Sequence, residues 1–147
     1  MTNLSSDDEL IAEILQVSQT IAVIGASDNE MRPSFGVMAY LKEQGYQTLP
    51  VNPGLVGKLI LGELCYASLE DITHPIDIVN IFRPSQECLR IAEQAISIGA
   101  KHIWMQIGIV NEEAKQTAER AGLNVVMNKC TKVEHKRLSL LGMKLGQ

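Results

Sequence analysis

A chain of 147 residues with 46% hydrophobic and 20% charged residues has the composition of one globular domain, not of a disordered segment. Its net charge of -4, with no Lys/Arg-rich run, argues against nucleic acid as a partner, because no broad basic face is available. The polar, acidic start MTNLSSDDEL is neither a signal nor a transit peptide, and no apolar run reaches membrane-spanning length. A cytoplasmic protein without a membrane partner is expected.

Ser6 followed by Glu9 predicts a capping box, and Leu10, Ile11, Ile14 and Leu15 share one face of a helix over residues 6–18. Thr20–Ile24 is short, apolar and β-branched, the mark of a strand buried on both faces in a parallel sheet. Pro33 opens a helix with Val37, Met38 and Leu41 on its apolar stripe, ending at Gly45. A strand follows over Gln47–Val51. The segment Leu55–Leu69 is hard to assign and predicts only a short strand near Lys58–Leu61. Beyond it the alternation is regular: strand Asp77–Phe82, helix Gln86–Ile98, strand His102–Ile107, helix Glu112–Ala121, strand Asn124–Met127 and helix Lys132–Leu141. Alternation at these lengths predicts an α/β, doubly wound parallel sheet with helices on both faces, in a single domain over residues 1–147.

In such sheets ligands bind at the carboxyl ends of the strands, where strand order reverses. The loops there are Gly25–Arg32, Asn52–Lys58, Arg83–Ser85, Gly108–Asn111 and Asn128–Thr131. Gly25-Ala26-Ser27 leaves the first strand on small residues, and the next helix opens at Arg32-Pro33-Ser34. A helix N-terminus beside an arginine is an anion site, and a plain turn with a solvated arginine is the competing reading. A dinucleotide fingerprint is incomplete. The turn Gly25-Ala26-Ser27-Asp28-Asn29-Glu30 lacks the second and third glycines, and Val51-Asn52-Pro53 places no carboxylate at the end of the second strand.

Six segments in order, IAVIGAS, GYQTLPVNP, ILGELCYASLEDI, IDIVNIFRP, GAKHIWMQIGIVNEEA and AGLNVVMNKC, resemble the stand-alone CoA-binding domain family, which is similar to the nucleotide-binding domain of the succinyl-CoA synthetase α subunit. The resemblance covers about residues 10–140 and implies a Rossmann-like fold with coenzyme A across the carboxyl ends of the strands. It implies phosphate contacts at Gly25, Ala26, Ser27, Arg32 and Ser34, and an adenosine border at Val51, Asn52 and Pro53. Phe82, Arg83 and Pro84 would line the next edge, and Gln106 and Gly108 would approach the pantetheine end. Read on their own, Pro53-Gly54 is equally a turn and Phe82 equally core.

The larger synthetase also uses a phosphorylated histidine from a second domain and an ATP-grasp unit, and neither is met before Gln147. His74 lies before a proline in a loop, His102 inside a strand, and His135 on the last helix among Lys132, Lys136 and Arg137; each reads as structural or solvated. Cys65, Cys88 and Cys130 form no CxxC pair, so neither a metal site nor a disulfide is expected. Cys130 beside Lys129 could be reactive near the ligand edge, although an inert thiol capping the last helix explains it as well. Glu112 and Glu113 suit a helix start, and Trp104 and Met105 read as core.

The expected function is a CoA or acyl-CoA binding protein without complete catalytic machinery, and so not an enzyme by itself. The alternatives are an NAD(P)-binding oxidoreductase, a subunit of a split acyl-CoA ligase and a regulatory nucleotide sensor. A protein partner or a homodimer is compatible with each.

Overall fold

The computed structural model describes residues 5–145. β1 (Thr20–Ile24), β5 (Ile78–Ile81) and β6 (His102–Met105) occupy the middle of a five-stranded sheet, flanked by β2 (Gln47–Val51) and β7 (Asn124–Val126) in the order β2-β1-β5-β6-β7. All four pairings are parallel. The central strands are predominantly apolar because both of their faces are covered, with Asn80 in β5 and His102 at the start of β6 as the buried polar exceptions. Ile21, Val23, Ile78 and Trp104 pack toward α1 (Ser6–Val17), α2 (Pro33–Glu43) and α5 (Thr131–Leu140). Ala22, Ile24, Val79, Ile81, Ile103 and Met105 pack toward α3 (Cys88–Ser97) and α4 (Glu112–Arg120) on the opposite face. This is the doubly wound α/β arrangement expected from the alternation.

Local chemistry shifts several boundaries. The cap of α1 is Ser5, whose Oγ accepts from the Asp8 N–H at 3.1 Å, one residue before the Ser6/Glu9 box. The helix expected from residue 86 begins as a 3₁₀ turn, Ser85–Glu87, and becomes α-helical at Cys88. Pro50 lies in the edge strand β2, where a missing N–H is tolerated, and its carbonyl accepts from Tyr66 N–H at 2.9 Å. The ambiguous segment holds a two-stranded antiparallel hairpin outside the main sheet, β3 (Leu59–Ile60) and β4 (Glu63–Leu64). Leu61 and Gly62 turn it at φ of 51° and 82°, the two positive values of a type I′-like hairpin turn.

The chain leaves β1 through α2 to reach β2 on one side, then crosses to β5 on the other. Strand order therefore reverses between β1 and β5, and the loops beyond their carboxyl ends diverge to open a crevice.

Candidate functional site

The floor of the crevice is built where β1 stops. Gly25 has φ +87°, and a Cβ there would lie 3.1 Å from Arg83 Cδ, so the position is closed to larger residues by conformation and by contact. The N–H groups of Gly25 and Ala26 both donate to Val51 O, at 3.0 and 3.2 Å. They are spent on the fold, and what the small residues offer a ligand is close approach. Asn52 fixes the same loop from the end of β2: its Nδ2 donates to Ala26 O at 2.8 Å and its Oδ1 accepts from Gly54 N–H at 2.8 Å. Further along, Ser27 Oγ accepts from Asn29 N–H and Asn29 Oδ1 from Met31 N–H, at 3.0 and 2.9 Å. The loop thus delivers the chain to α2 in a defined direction.

At that helix start Arg32 is the N-cap residue and Pro33 follows, with no side chain capping the first turn. α1 and α4 are each capped, by Ser5 and Asn111. An uncapped start leaves N–H donors and the positive end of the helix dipole directed outward. The start faces a cleft of about 320 Å³ lined by Gly25, Ala26, Ser27, Arg32, Pro33, Ser34, Asn52, Phe82 and Arg83. The Arg32 guanidinium is exposed and has no ion pair or hydrogen bond among the described residues. Pro33 has no N–H, and the Phe35 N–H donates to Arg32 O at 3.0 Å. The Ser34 N–H at the positive helix end, the small-residue floor and a guanidinium without a partner among the described residues are therefore what suit a phosphate.

A second cleft of about 170 Å³ adjoins the first across Gly25, Asn52 and Arg83. Its apolar side is Ile24, Val51, Leu69 and Ile91, and its polar side carries Ser68, Arg83, Glu87, Arg90 and Gln94. Arg83 grips Glu87 with two bonds, Nε to Oε1 at 3.3 Å and Nη2 to Oε2 at 2.7 Å, while Arg90 Nη2 reaches Oε1 at 3.3 Å. The Arg83 hydrogen bond, followed by the charges of Arg83 and Arg90, holds the Glu87 carboxyl below the usual carboxylate range despite partial burial.

Of the residues expected at the site, Gly25, Ala26, Ser27, Arg32, Ser34, Asn52, Phe82 and Arg83 surround the larger cleft, and Val51, Asn52 and Pro53 line the smaller. Pro84, Gln106 and Gly108 lie in neither lining. Pro84 leads into the 3₁₀ turn, and Gly108 N–H donates to Asn128 Oδ1 at 2.7 Å. Gln106 is 5% exposed and turned inward. Its Nε2 donates to Asn80 Oδ1 at 2.6 Å and Thr131 Oγ1 at 3.1 Å, and Asn80 Nδ2 also reaches Thr131 Oγ1 at 3.1 Å. This closed polar network beneath the crevice was not expected from the sequence, although a lone asparagine inside the apolar run of β5 was its signal. The 83/87 and 87/90 spacings likewise signalled an ion-paired helix start.

The titratable groups weighed as alternatives stand elsewhere. His102 is buried beside Asn124, and His135 Nδ1 lies 2.7 Å from Tyr40 OH; burial lowers both imidazoles. Burial pushes the Cys88 thiol up to about 11 and raises Cys65 also, away from thiolate chemistry. Cys130 is a half-buried N-cap of α5 and lines neither cleft. Among the described residues no cluster of three His, Cys, Asp or Glu could hold a metal, and no helix is long and apolar enough to cross a membrane.

A family model described as "CoA binding domain" matches residues 19–136. The chain is 43% identical over 125 residues to the uncharacterized protein YneT of Bacillus subtilis, covering 85% of this chain and 91% of that one. It is 30% identical over 103 residues to acetate–CoA ligase (ADP-forming) II of Archaeoglobus fulgidus, covering 69% of this chain but 15% of the ligase. A solved Thermus thermophilus structure, cell-free ID.343, superposes with a TM-score of 0.85 at 39% identity, covering 89% of this chain and 98% of its own.

Proposed function

The chain belongs to the CoA-binding domain family, and from that premise we propose that it captures coenzyme A or an acyl-CoA without transforming it. The diphosphate lies against the start of α2, where Ser34 supplies a first-turn N–H, Arg32 a guanidinium and Gly25 an unobstructed floor. Val51, Asn52 and Pro53 border the nucleoside, and the pantetheine leaves toward the loop after β6, which holds Gly108.

The observation that carries this reading is the uncapped N-terminus of α2 opening onto the Gly25 floor with an unpaired arginine at its edge. An NAD(P) reading has less support, since the end of β2 offers Asn52, already committed to Ala26 O and Gly54 N–H, where a ribose diol needs a carboxylate. The carboxylate in the lining, Glu87, is committed to Arg83 and Arg90 and is not poised as a free acid or base, which supports binding without turnover. A second reading, a subunit that works with other chains as an acyl-CoA ligase, rests on the likeness to one part of the acetate–CoA ligase.

A thermal-shift series tests the ligand. CoA should raise the melting temperature more than NAD, NADP or ATP at equal concentration, because a ligand bound only by the native state stabilises it by mass action. A larger shift with NAD overturns the ranking. The isolated chain given ATP, acetate and CoA should form no acetyl-CoA, and turnover that survives repurification overturns the non-catalytic reading.

A further inference from the structure

The Arg83–Glu87–Arg90 cluster is more than a surface ion pair, because it sits on the rim of the smaller cleft. Two guanidiniums share one carboxylate there, which leaves a surplus positive charge beside an apolar wall of Ile24, Val51, Leu69 and Ile91. An apolar wall suits the face of a purine, and the surplus charge calls for a second anion on the same ligand. The two clefts meet at Gly25, Asn52 and Arg83, so one molecule can lie in both. Its diphosphate would lie at α2 and its nucleoside against the wall.

We propose that Arg90 and Arg83 bind a phosphate carried on the ribose of the ligand's nucleoside, and that Glu87 is an internal competitor holding both arginines until that phosphate replaces it. The inference rests on the CoA reading, since CoA carries such a 3′-phosphate in addition to its diphosphate. Replacement is feasible because the arginines are largely exposed, with side chains 49% and 63% accessible, and exposed ion pairs are weak. A phosphate presents more acceptor oxygens and charge than a carboxylate, and the guanidinium fork matches it bidentately. The cluster therefore discriminates ligands. A nucleotide lacking the ribose phosphate leaves Glu87 in place and gains nothing from Arg90.

Calorimetric titration of CoA and of dephospho-CoA, which lacks only the 3′-phosphate, tests this on the full chain. The wild type should bind CoA about tenfold or more tightly than dephospho-CoA. Arg90→Ala should weaken CoA until the two ligands differ by less than about threefold, with dephospho-CoA unchanged within about twofold. Glu87→Gln, which removes the competing charge at constant shape, should tighten CoA by about threefold or more and dephospho-CoA less. Equal wild-type affinities for the two ligands, or a parallel loss of both in Arg90→Ala, overturns the ribose-phosphate site. Unchanged or weaker CoA binding in Glu87→Gln overturns the competitor role. Tight binding of dephospho-CoA alongside either result leaves the CoA reading standing, whereas binding of neither ligand defeats that reading and this inference with it.

Discussion

The two ends of the sheet handle in opposite ways the polar groups left over where strands stop. At the amino ends a seam crosses all five strands: Gln47 N–H donates to Gln19 O, Gln19 and Thr20 N–H to Asp77 Oδ2, His102 N–H to Asp77 O, and Asn124 N–H to Lys101 O. Lys101 Nζ then stands 3.5 Å from the other Asp77 oxygen. At the carboxyl ends Asn52 and Asn128 stitch the loops, yet the Arg32 guanidinium has no partner among the described residues, and Arg83 and Arg90 share Glu87. One end is sealed by the chain itself and the other keeps charge in reserve. Substitutions at the amino end should therefore register in stability, and those at the carboxyl end in affinity for CoA.

The largest expected effect probes the residue most able to break this division. Gln106 stands at the carboxyl end of β6, but its amide is spent on Asn80 and Thr131. Gln106→Met keeps the volume and removes the donor, leaving Asn80 Oδ1 buried without its partner. A buried orphan costs about 1–3 kcal/mol, and with Thr131 also affected roughly 2–3 kcal/mol of unfolding free energy should be lost. CoA affinity should stay within about twofold. Denaturant unfolding and calorimetric titration on the same preparation measure both. Intact stability with lost binding would return Gln106 to the ligand and erase the distinction between the ends.

Much of the architecture was readable because fully buried strands need predominantly apolar residues, as in Ile21–Ile24 and in Ile78–Ile81 around Asn80, and because glycines follow α2 to α5. The capping box was misplaced by one residue because Ser5 and Ser6 each have an acid three positions on, and composition cannot separate the two. Of the hairpin at 59–64, the first strand, expected near Lys58–Leu61, was legible. Its turn and the return strand Glu63–Leu64 were not, because Leu61 takes a left-handed turn position usually filled by Gly, Asn or Asp. The convergence of Gly25, Arg32, Asn52 and Arg83 on one cleft was legible because strand-end loops in this topology meet there. Ser68, Arg90 and Gln94 come from elements whose approach to Gly25 is set by tertiary packing, which no local pattern encodes. Gln106 was legible as a strand-end residue, whereas its direction depended on how α5 packs, since Thr131 opens that helix.

Arg32→Ala sharpens the comparison from the binding side. A charge-assisted bond to phosphate contributes about 2 kcal/mol, so CoA should bind roughly 30-fold more weakly. The melting temperature without ligand should not move, because the guanidinium has no partner to lose among the described residues. Arg32→Lys should recover part of the affinity, keeping charge but not the bidentate fork. Raising the salt should narrow the gap between wild type and Arg32→Ala. Calorimetry of the three proteins at low and moderate ionic strength decides it. Unchanged affinity in Arg32→Ala would leave the Ser34 N–H at the start of α2 as the phosphate donor.

Asp77→Asn tests the sealed end, with the smallest expected effect. Burial raises the Asp77 carboxyl, but the Gln19 and Thr20 N–H donors and the Lys101 ammonium outweigh it and leave the group below its ordinary value. A carboxylate depressed by folding stabilises the native state above its unfolded pKa, and that contribution is lost as pH falls through the folded value. The asparagine keeps an oxygen for the N–H donors and discards the charge, so about 1 kcal/mol should be lost at neutral pH. The difference should begin to shrink below about pH 3.9, where the carboxyl of the unfolded chain takes up its proton. It should close as pH falls through the lower folded value, where native Asp77 is protonated and resembles the variant. Asp8 and Glu87 are depressed too, mainly by Arg137 and Arg83, so the variant keeps an acid limb of its own and the diagnostic quantity is the gap between the two curves. Unfolding free energies of both proteins from about pH 2 to 7 trace that gap. A gap that persists undiminished in acid would assign the seam to hydrogen-bond geometry instead of charge. A loss of CoA affinity in Asp77→Asn at neutral pH would show that the two ends of the sheet are coupled, and the division of labour between them would fail.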